Sequence, residues 1–133
     1  MHKNVQQKVV DELHEVFPAY DDPIDFDILN KLPYLEQTIK ETLRLFPISA
    51  FTMRTTAQNV EIDNYLVPAG CLLILSVFTL HRNKAYWGDD ADKFVPERFE
   101  AERIKSVHPY AYVPFSGKHT CLRVTLPYYQ QFT

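Results

Sequence analysis

The sequence predicts a mainly α chain carrying one small antiparallel β-sheet, an α+β arrangement, and three observations support that reading. Apolar residues recur at helical spacing twice in the first third, at Val5, Val9, Leu13, Val16 and Phe17 and again at Leu35, Ile39, Leu43 and Phe46. The period then shortens, and β-branched and aromatic residues crowd the stretch 51–76 between turn signals. From Asn83 onward neither period persists, and Pro96, Pro109 and Pro114 limit helix.

Taken in order, the first stripe predicts an amphipathic helix over about 2–17, stopped by Pro18. Ala19 to Asp25, with Asp21-Asp22-Pro23, reads as a loop, and Phe26 to Asn30 as one short helical turn. Pro33 fits the first position of a second helix over about 33–46, which Pro47 terminates. Strands follow at 51–56, 60–62 and 65–67, with Asp63-Asn64 and Pro68-Ala69-Gly70 as turns, and Cys71 to Ser76 adds a buried strand to the same sheet. Val77 to Arg82 fits strand or helix equally. An irregular meander then runs over about 83–121, with at most one short helix at 89–94, and ends in a cysteine loop.

The 133 residues suit one domain, and no internal repeat is present. Hydrophobic residues make up 46% and aromatic residues 14%, so a small fold must hide much apolar surface. A net charge of -3 argues against a nucleic-acid binder, yet all 17 acids lie at or before Glu102. The basic segment beyond, with Arg103, Lys105, Lys118 and Arg123, suits docking to an acidic protein as well as it suits a solvated tail. Cys71 and Cys121 form no disulfide framework, and Cys71 reads as a small buried hydrophobe. No secretory signal is visible and no apolar run is long enough to span a membrane.

Four features carry potential chemistry. Glu41 and Arg44, in Glu41-Thr42-Leu43-Arg44, can meet on one helix face, but a helical wheel places both opposite the Leu35, Ile39, Leu43 stripe. Alone they read as a solvated pair contributing about 0.2–0.5 kcal/mol. Pro96-Glu97-Arg98-Phe99 supplies a second arginine. Arg54 lies within a strand, where an inward cation requires an anion and an outward one does not. Cys121 ends the loop Phe115-Ser116-Gly117-Lys118-His119-Thr120-Cys121, where Lys118, His119 and Arg123 favour its thiolate. His119 with Cys121 also admits zinc or a Cys/His nucleophile, but His2, His14, His81 and His108 show no ligand spacing with them.

With Tyr86-Trp87-Gly88, Phe94-Val95-Pro96-Glu97-Arg98-Phe99 and Tyr112-Val113-Pro114-Phe115-Ser116-Gly117, these features occur in an order that resembles the C-terminal part of a cytochrome P-450. That family comprises haem-thiolate monooxygenases. The sequence looks most similar to animal microsomal members, near insect relatives of the fatty-acid omega-hydroxylases. The resemblance implies a single incomplete domain over 1–133, the C-terminal part of that fold. It implies haem b as cofactor, with Cys121 as axial iron ligand and Phe115, Gly117 and His119 shaping its surroundings. A thiolate donates electron density to the iron and favours O–O cleavage. Arg54 would pair with a haem propionate, and Ile48, Ser49, Ala50, Phe51, Thr52 and Met53 would line the substrate pocket. Glu41, Arg44 and Arg98 would form a buried structural network, the surplus positive charge met by acceptors such as backbone carbonyls.

The complete enzyme so implied inserts one oxygen atom of O2 into a small apolar substrate. Its electrons come from NADPH through a reductase, with cytochrome b5 as a further donor, at the endoplasmic reticulum membrane. No catalytic residue of the distal helix and no membrane anchor is expected within these residues. Three departures from the family pattern stand out. Phe115 and Gly117 are one residue closer than in the family loop, His119 replaces an arginine, and Arg123 replaces a glycine. Pro127 interrupts the helix expected after Cys121, so the end reads as a shifted frame, a truncated gene model or a decayed copy. The competing expectations are a non-catalytic haem-binding or protein-interaction fragment, and a small α+β binding protein with chance matches.

Overall fold

The computed structural model describes residues 2–19 and 26–116. Helix α1 (Lys3–Val16) turns its half-buried stripe of Val5, Val9, Leu13 and Val16 toward α3 (Pro33–Leu45). Between them lies the single turn α2 (Phe26–Leu29). Pro33 at the start of α3 lacks an N–H, and Leu32 before it provides no side-chain cap. The Glu12 carboxylate on α1 supplies the missing acceptors, taking the N–H groups of Tyr34 at 2.7 Å and Leu35 at 2.8 Å. Negative charge at a helix N-terminus is also favoured by the peptide dipoles.

Four strands follow, β1 (Phe51–Thr55), β2 (Val60–Ile62), β3 (Tyr65–Val67) and β4 (Leu72–Ser76). They form two separate antiparallel ladders, β1 with β4 and β2 with β3, where the sequence pattern suggests one sheet. Asp63 and Asn64 both adopt left-handed φ angles of 47° and 65°, as a tight two-residue hairpin requires. Thr56, just after β1, ties the two ladders together where they meet. Its hydroxyl donates to the Pro68 carbonyl at 2.7 Å and accepts from the Cys71 N–H at 3.0 Å, closing the base of the hairpin. Gly70, at a φ of 81°, completes that turn.

Strand β4 is not buried as expected: Leu72, Ile74 and Leu75 are exposed, and Cys71 is only partly covered. A two-stranded ladder leaves both faces open unless another layer covers them. The ambiguous stretch after it is the helical turn α4 (Val77–Leu80), started by the Ser76 side chain, which accepts the Thr79 N–H.

Residues 83–116 are more ordered than the proline count suggests. Helix α5 (Lys84–Trp87) is capped by the Asn83 side chain, which accepts the Ala85 N–H at 3.0 Å. The stretch 89–94, where at most one short helix is expected, forms none: 89–92 are turns and 93 a bend. Pro96 and Pro109 instead open 3-10 turns at Pro96–Phe99 and Pro109–Ala111, with α6 (Ala101–Ile104) between them. Proline at the first position of a turn loses no bond, so these prolines initiate structure. Trp87, Ala91, Phe99 and Ala111 form the core of this region, with Ile104, Val107 and Tyr112 packed against it.

Candidate functional site

Two features stand out: a buried charge network between α3 and the meander, and a cavity between the start of β1 and the segment after Ala111. Glu41 and Arg44 are both fully buried, at 0% exposure, although the wheel predicts a solvated pair. Ile39, on the predicted apolar stripe, is 44% exposed. The face of α3 that meets the meander is therefore the charged one, because the meander offers it backbone acceptors.

The Arg44 guanidinium has five N–H groups and the structure supplies five acceptors. Nε and one Nη bond bidentately to the Glu41 carboxylate at 2.7 and 2.9 Å. The other contacts go to the carbonyls of His81 and Ala91, both at 2.7 Å, and of Lys93 at 3.1 Å. Glu41 also accepts the Val95 N–H at 2.8 Å, and the Trp87 ring lies 5.1 Å from the Arg44 guanidinium carbon. Breaking such a desolvated pair strands a charge, typically at a cost of about 3–5 kcal/mol.

Arg98 stands beside this pair rather than inside it. Its Nε lies 3.7 Å from Glu41, too far for a hydrogen bond, and is buried without one among the described residues. Its Nη groups donate to the carbonyls of Trp87 and Asp90, both at 2.7 Å, and one reaches the Asp90 carboxylate at 2.6 Å. The structure thus gathers Glu41, Arg44 and Arg98 and adds Asp90 as a second anion. That contact with Arg98 holds the Asp90 carboxyl below its ordinary range. No pattern in the sequence singles out Asp90, since its role depends on where the turn at 88–91 brings it.

The cavity, of about 330 Å3, lies between the start of β1 and the segment after Ala111. Ile48, Ser49, Thr52 and Arg54 line one side; Val77, Val113, Pro114, Phe115 and Ser116 line the other. Of the six expected substrate-pocket residues, Ile48, Ser49 and Thr52 border it, while Ala50, Phe51 and Met53 are not among its walls. Side chains alternate along a strand, so Thr52 and Arg54 share one face of β1 and Phe51 and Met53 the other. That second face continues across the ladder through Ile74 and Leu72, and all four are exposed.

Among the described residues Arg54 bonds only neutral oxygens: the Thr52 hydroxyl at 3.3 Å, the Met53 carbonyl at 2.8 Å and the Ser116 hydroxyl at 3.0 Å. Among the described residues no carboxylate pairs with it, so its charge is available to an anion in the cavity. A mostly apolar wall with one unneutralised guanidinium at its rim fits a flat hydrophobic group bearing a carboxylate. Phe115 belongs to that wall. Gly117, His119 and Cys121, the remaining expected haem contacts, lie outside the described residues.

His81 was missed by the sequence reading except as a discounted zinc ligand. It is fully buried, stacks on Tyr112 and bonds to the backbone on both sides. A polar residue closing the apolar run 71–80 is the one local signal of it.

The family model described as Cytochrome P-450 matches residues 1–122 of the chain. The chain belongs to the cytochrome P-450 family. Members of this family are monooxygenases and use haem. Among the similar proteins, probable cytochrome P-450 313a1 of Drosophila melanogaster is 44% identical over 124 residues, covering 91% of this chain and 25% of the relative. Cytochrome P-450 4V2 of Pongo abelii is 44% identical over 119 residues, covering 89% and 22% respectively. Cytochrome P-450 3A29 of Sus scrofa is 38% identical over 122 residues, covering 91% and 24%. The chain therefore spans about a quarter of the length of these relatives. Among the described residues no helix is long and apolar enough to cross a membrane, and no cluster of side chains could hold a metal ion.

Proposed function

We propose that this chain forms the proximal side of the haem site of a haem-thiolate monooxygenase. The observation that carries the reading is Arg54, a cation that among the described residues is paired only with neutral oxygens, at the rim of a largely apolar cavity. The stretch of cavity wall that ends at Ser116 precedes Cys121 by five residues in the sequence.

In this reading the Arg54 fork holds a propionate, and Ser116, already hydrogen-bonded to Arg54, sits beside it. Ile48, Val77, Val113 and Phe115 exclude water from the face of the group. The Cys121 thiolate would bind the iron, with Gly117 and His119 in its loop. Glu41 and Arg44 fix the backbone at His81, Ala91 and Lys93, with Arg98 alongside, and so hold the meander that precedes the loop. Haem with a thiolate ligand supplies reductive activation of O2 for insertion of one oxygen atom into an apolar substrate. Ser49 and Thr52, also on the cavity wall, would border such a substrate. Electrons would come from NADPH through a reductase, with cytochrome b5 as a further donor, at the endoplasmic reticulum membrane. Because the chain spans about a quarter of its relatives' length, product formation is expected to need the remainder of such a protein.

Haem titration of the purified chain tests this reading. A red-shifted Soret band in the reduced CO complex, lost in Cys121→Ala and weakened in Arg54→Ala, is expected. Haem uptake without that thiolate signature in the unaltered chain would defeat the reading.

A further inference from the structure

His81 is a buried titratable group to which the haem site assigns no role. It is 0% exposed and ends α4, close to where α3 and the segment after Ala111 approach each other. Its two ring nitrogens meet backbone groups of opposite kind. The Val113 N–H donates to Nε2 at 2.9 Å, so Nε2 carries a lone pair. Nδ1 stands 3.2 Å from the Arg44 carbonyl, a group that only accepts, so Nδ1 carries the hydrogen. A single form of the side chain satisfies both contacts, the neutral Nδ1–H tautomer.

The surroundings favour that form. Among the described residues, the charges that act on the ring are the Arg44 and Arg82 guanidiniums, and both oppose a third positive charge. The Glu41 carboxylate is engaged by Arg44 and the Val95 N–H. Tyr112 stacks on the ring at 5.4 Å between centroids, and its hydroxyl donates to the Lys40 carbonyl on α3 at 3.1 Å. Burial and the two cations push the His81 imidazole down to about 4.

Val113 is where the cavity wall begins. From it run Pro114, Phe115 and Ser116, and Ser116 meets Arg54. We propose that His81 is a positioning residue: a tautomer-specific bridge that ties the cavity wall at 113–116 to the Arg44 turn of α3. The bridge transmits the setting of the buried charge pair to the wall opposite Arg54. Its consequence for haem rests on the function proposed above; the bridge itself does not.

The test uses the full 133-residue chain without haem, 15N-labelled. At neutral pH the His81 ring should show a protonated Nδ1 and an unprotonated Nε2, and the Val113 amide should exchange slowly. His81→Gln can place an acceptor near the position of Nε2 and should keep Val113 protected. His81→Asn, whose amide reaches only as far as Nδ1, and His81→Phe, which fills the space without an acceptor, should each speed Val113 exchange at least about tenfold. The proposal is overturned by the other tautomer, by a doubly protonated ring, or by fast Val113 exchange in the unaltered chain. Protection in His81→Phe equal to that in the unaltered chain would also overturn it, since packing alone would then suffice. Failure of the thiolate signature on haem titration would remove the haem reading and leave these outcomes unchanged.

Discussion

Arg98 reaches the carboxylate of Asp90 at 2.6 Å, and this contact closes the network of charges between α3 and the meander on its solvent side. Asp90 is partly exposed, whereas Glu41 and Arg44 are not. The two anions should therefore differ sharply in weight. Glu41→Gln leaves the Arg44 guanidinium buried without a full counter-charge and is expected to cost about 3–5 kcal/mol. Asp90→Asn keeps the backbone bond to Arg98 and should move the urea midpoint far less. Equal losses in the two variants would contradict the burial difference.

The cap on α3 comes from a different helix, so its removal should loosen two elements at once. Glu12→Ala unpairs the N–H groups of Tyr34 and Leu35 and is expected to cost about 1 kcal/mol, the usual weight of an N-cap. Glu12→Gln retains acceptor oxygen and should lose less. Thermal unfolding of the two variants gives the comparison.

His81 makes stability depend on pH in a defined direction. Its folded value, about 4, lies below the ordinary 6.5, so in the window between them the unfolded chain binds more protons. Stability is full above pH 6.5 and falls as the pH drops toward 4, by on the order of 3 kcal/mol. Urea midpoints measured from pH 7.5 to 4 should show this slope, and His81→Gln should largely remove it. Asp90 and Glu97 lose stabilising interactions at lower pH still, because Arg98 and Lys8 respectively hold their carboxyls below the ordinary range.

Arg54 offers a graded test of the cavity. If its fork grips a carboxylate, Arg54→Ala should weaken haem binding by at least about tenfold, and Arg54→Lys should retain the charge while losing the bidentate contact. Ser116→Ala, which removes a neutral partner, should matter less. Titrations followed in the Soret region would rank the three.

The two long helices were legible because their apolar residues recur with the helical period and prolines mark their ends. Burial of Glu41 and Arg44 was not legible from that period. A helical wheel weighs side-chain hydrophobicity, whereas the groups that accept Arg44 are carbonyls of His81, Ala91 and Lys93 in turns with no repeating pattern. Family resemblance pointed to this burial where the wheel did not. Alternation along β1 already separates Thr52 and Arg54 from Phe51 and Met53, yet the run 48–53 was read as continuous lining. Asp90 and His81 gain their roles from turns and backbone partners that become neighbours only in the folded chain.

The carbonyls that surround Arg44 also set the order in which this chain can mature. They lie 37, 47 and 49 residues beyond the arginine. During synthesis α3 emerges first, and its charged face must remain hydrated until the stretch through Lys93 has followed. Local helix formation can run ahead, but docking of the meander is a late, long-range event, of the kind that slows folding. A growing chain halted between Arg44 and Ala91 would expose a helix whose buried surface is its polar one.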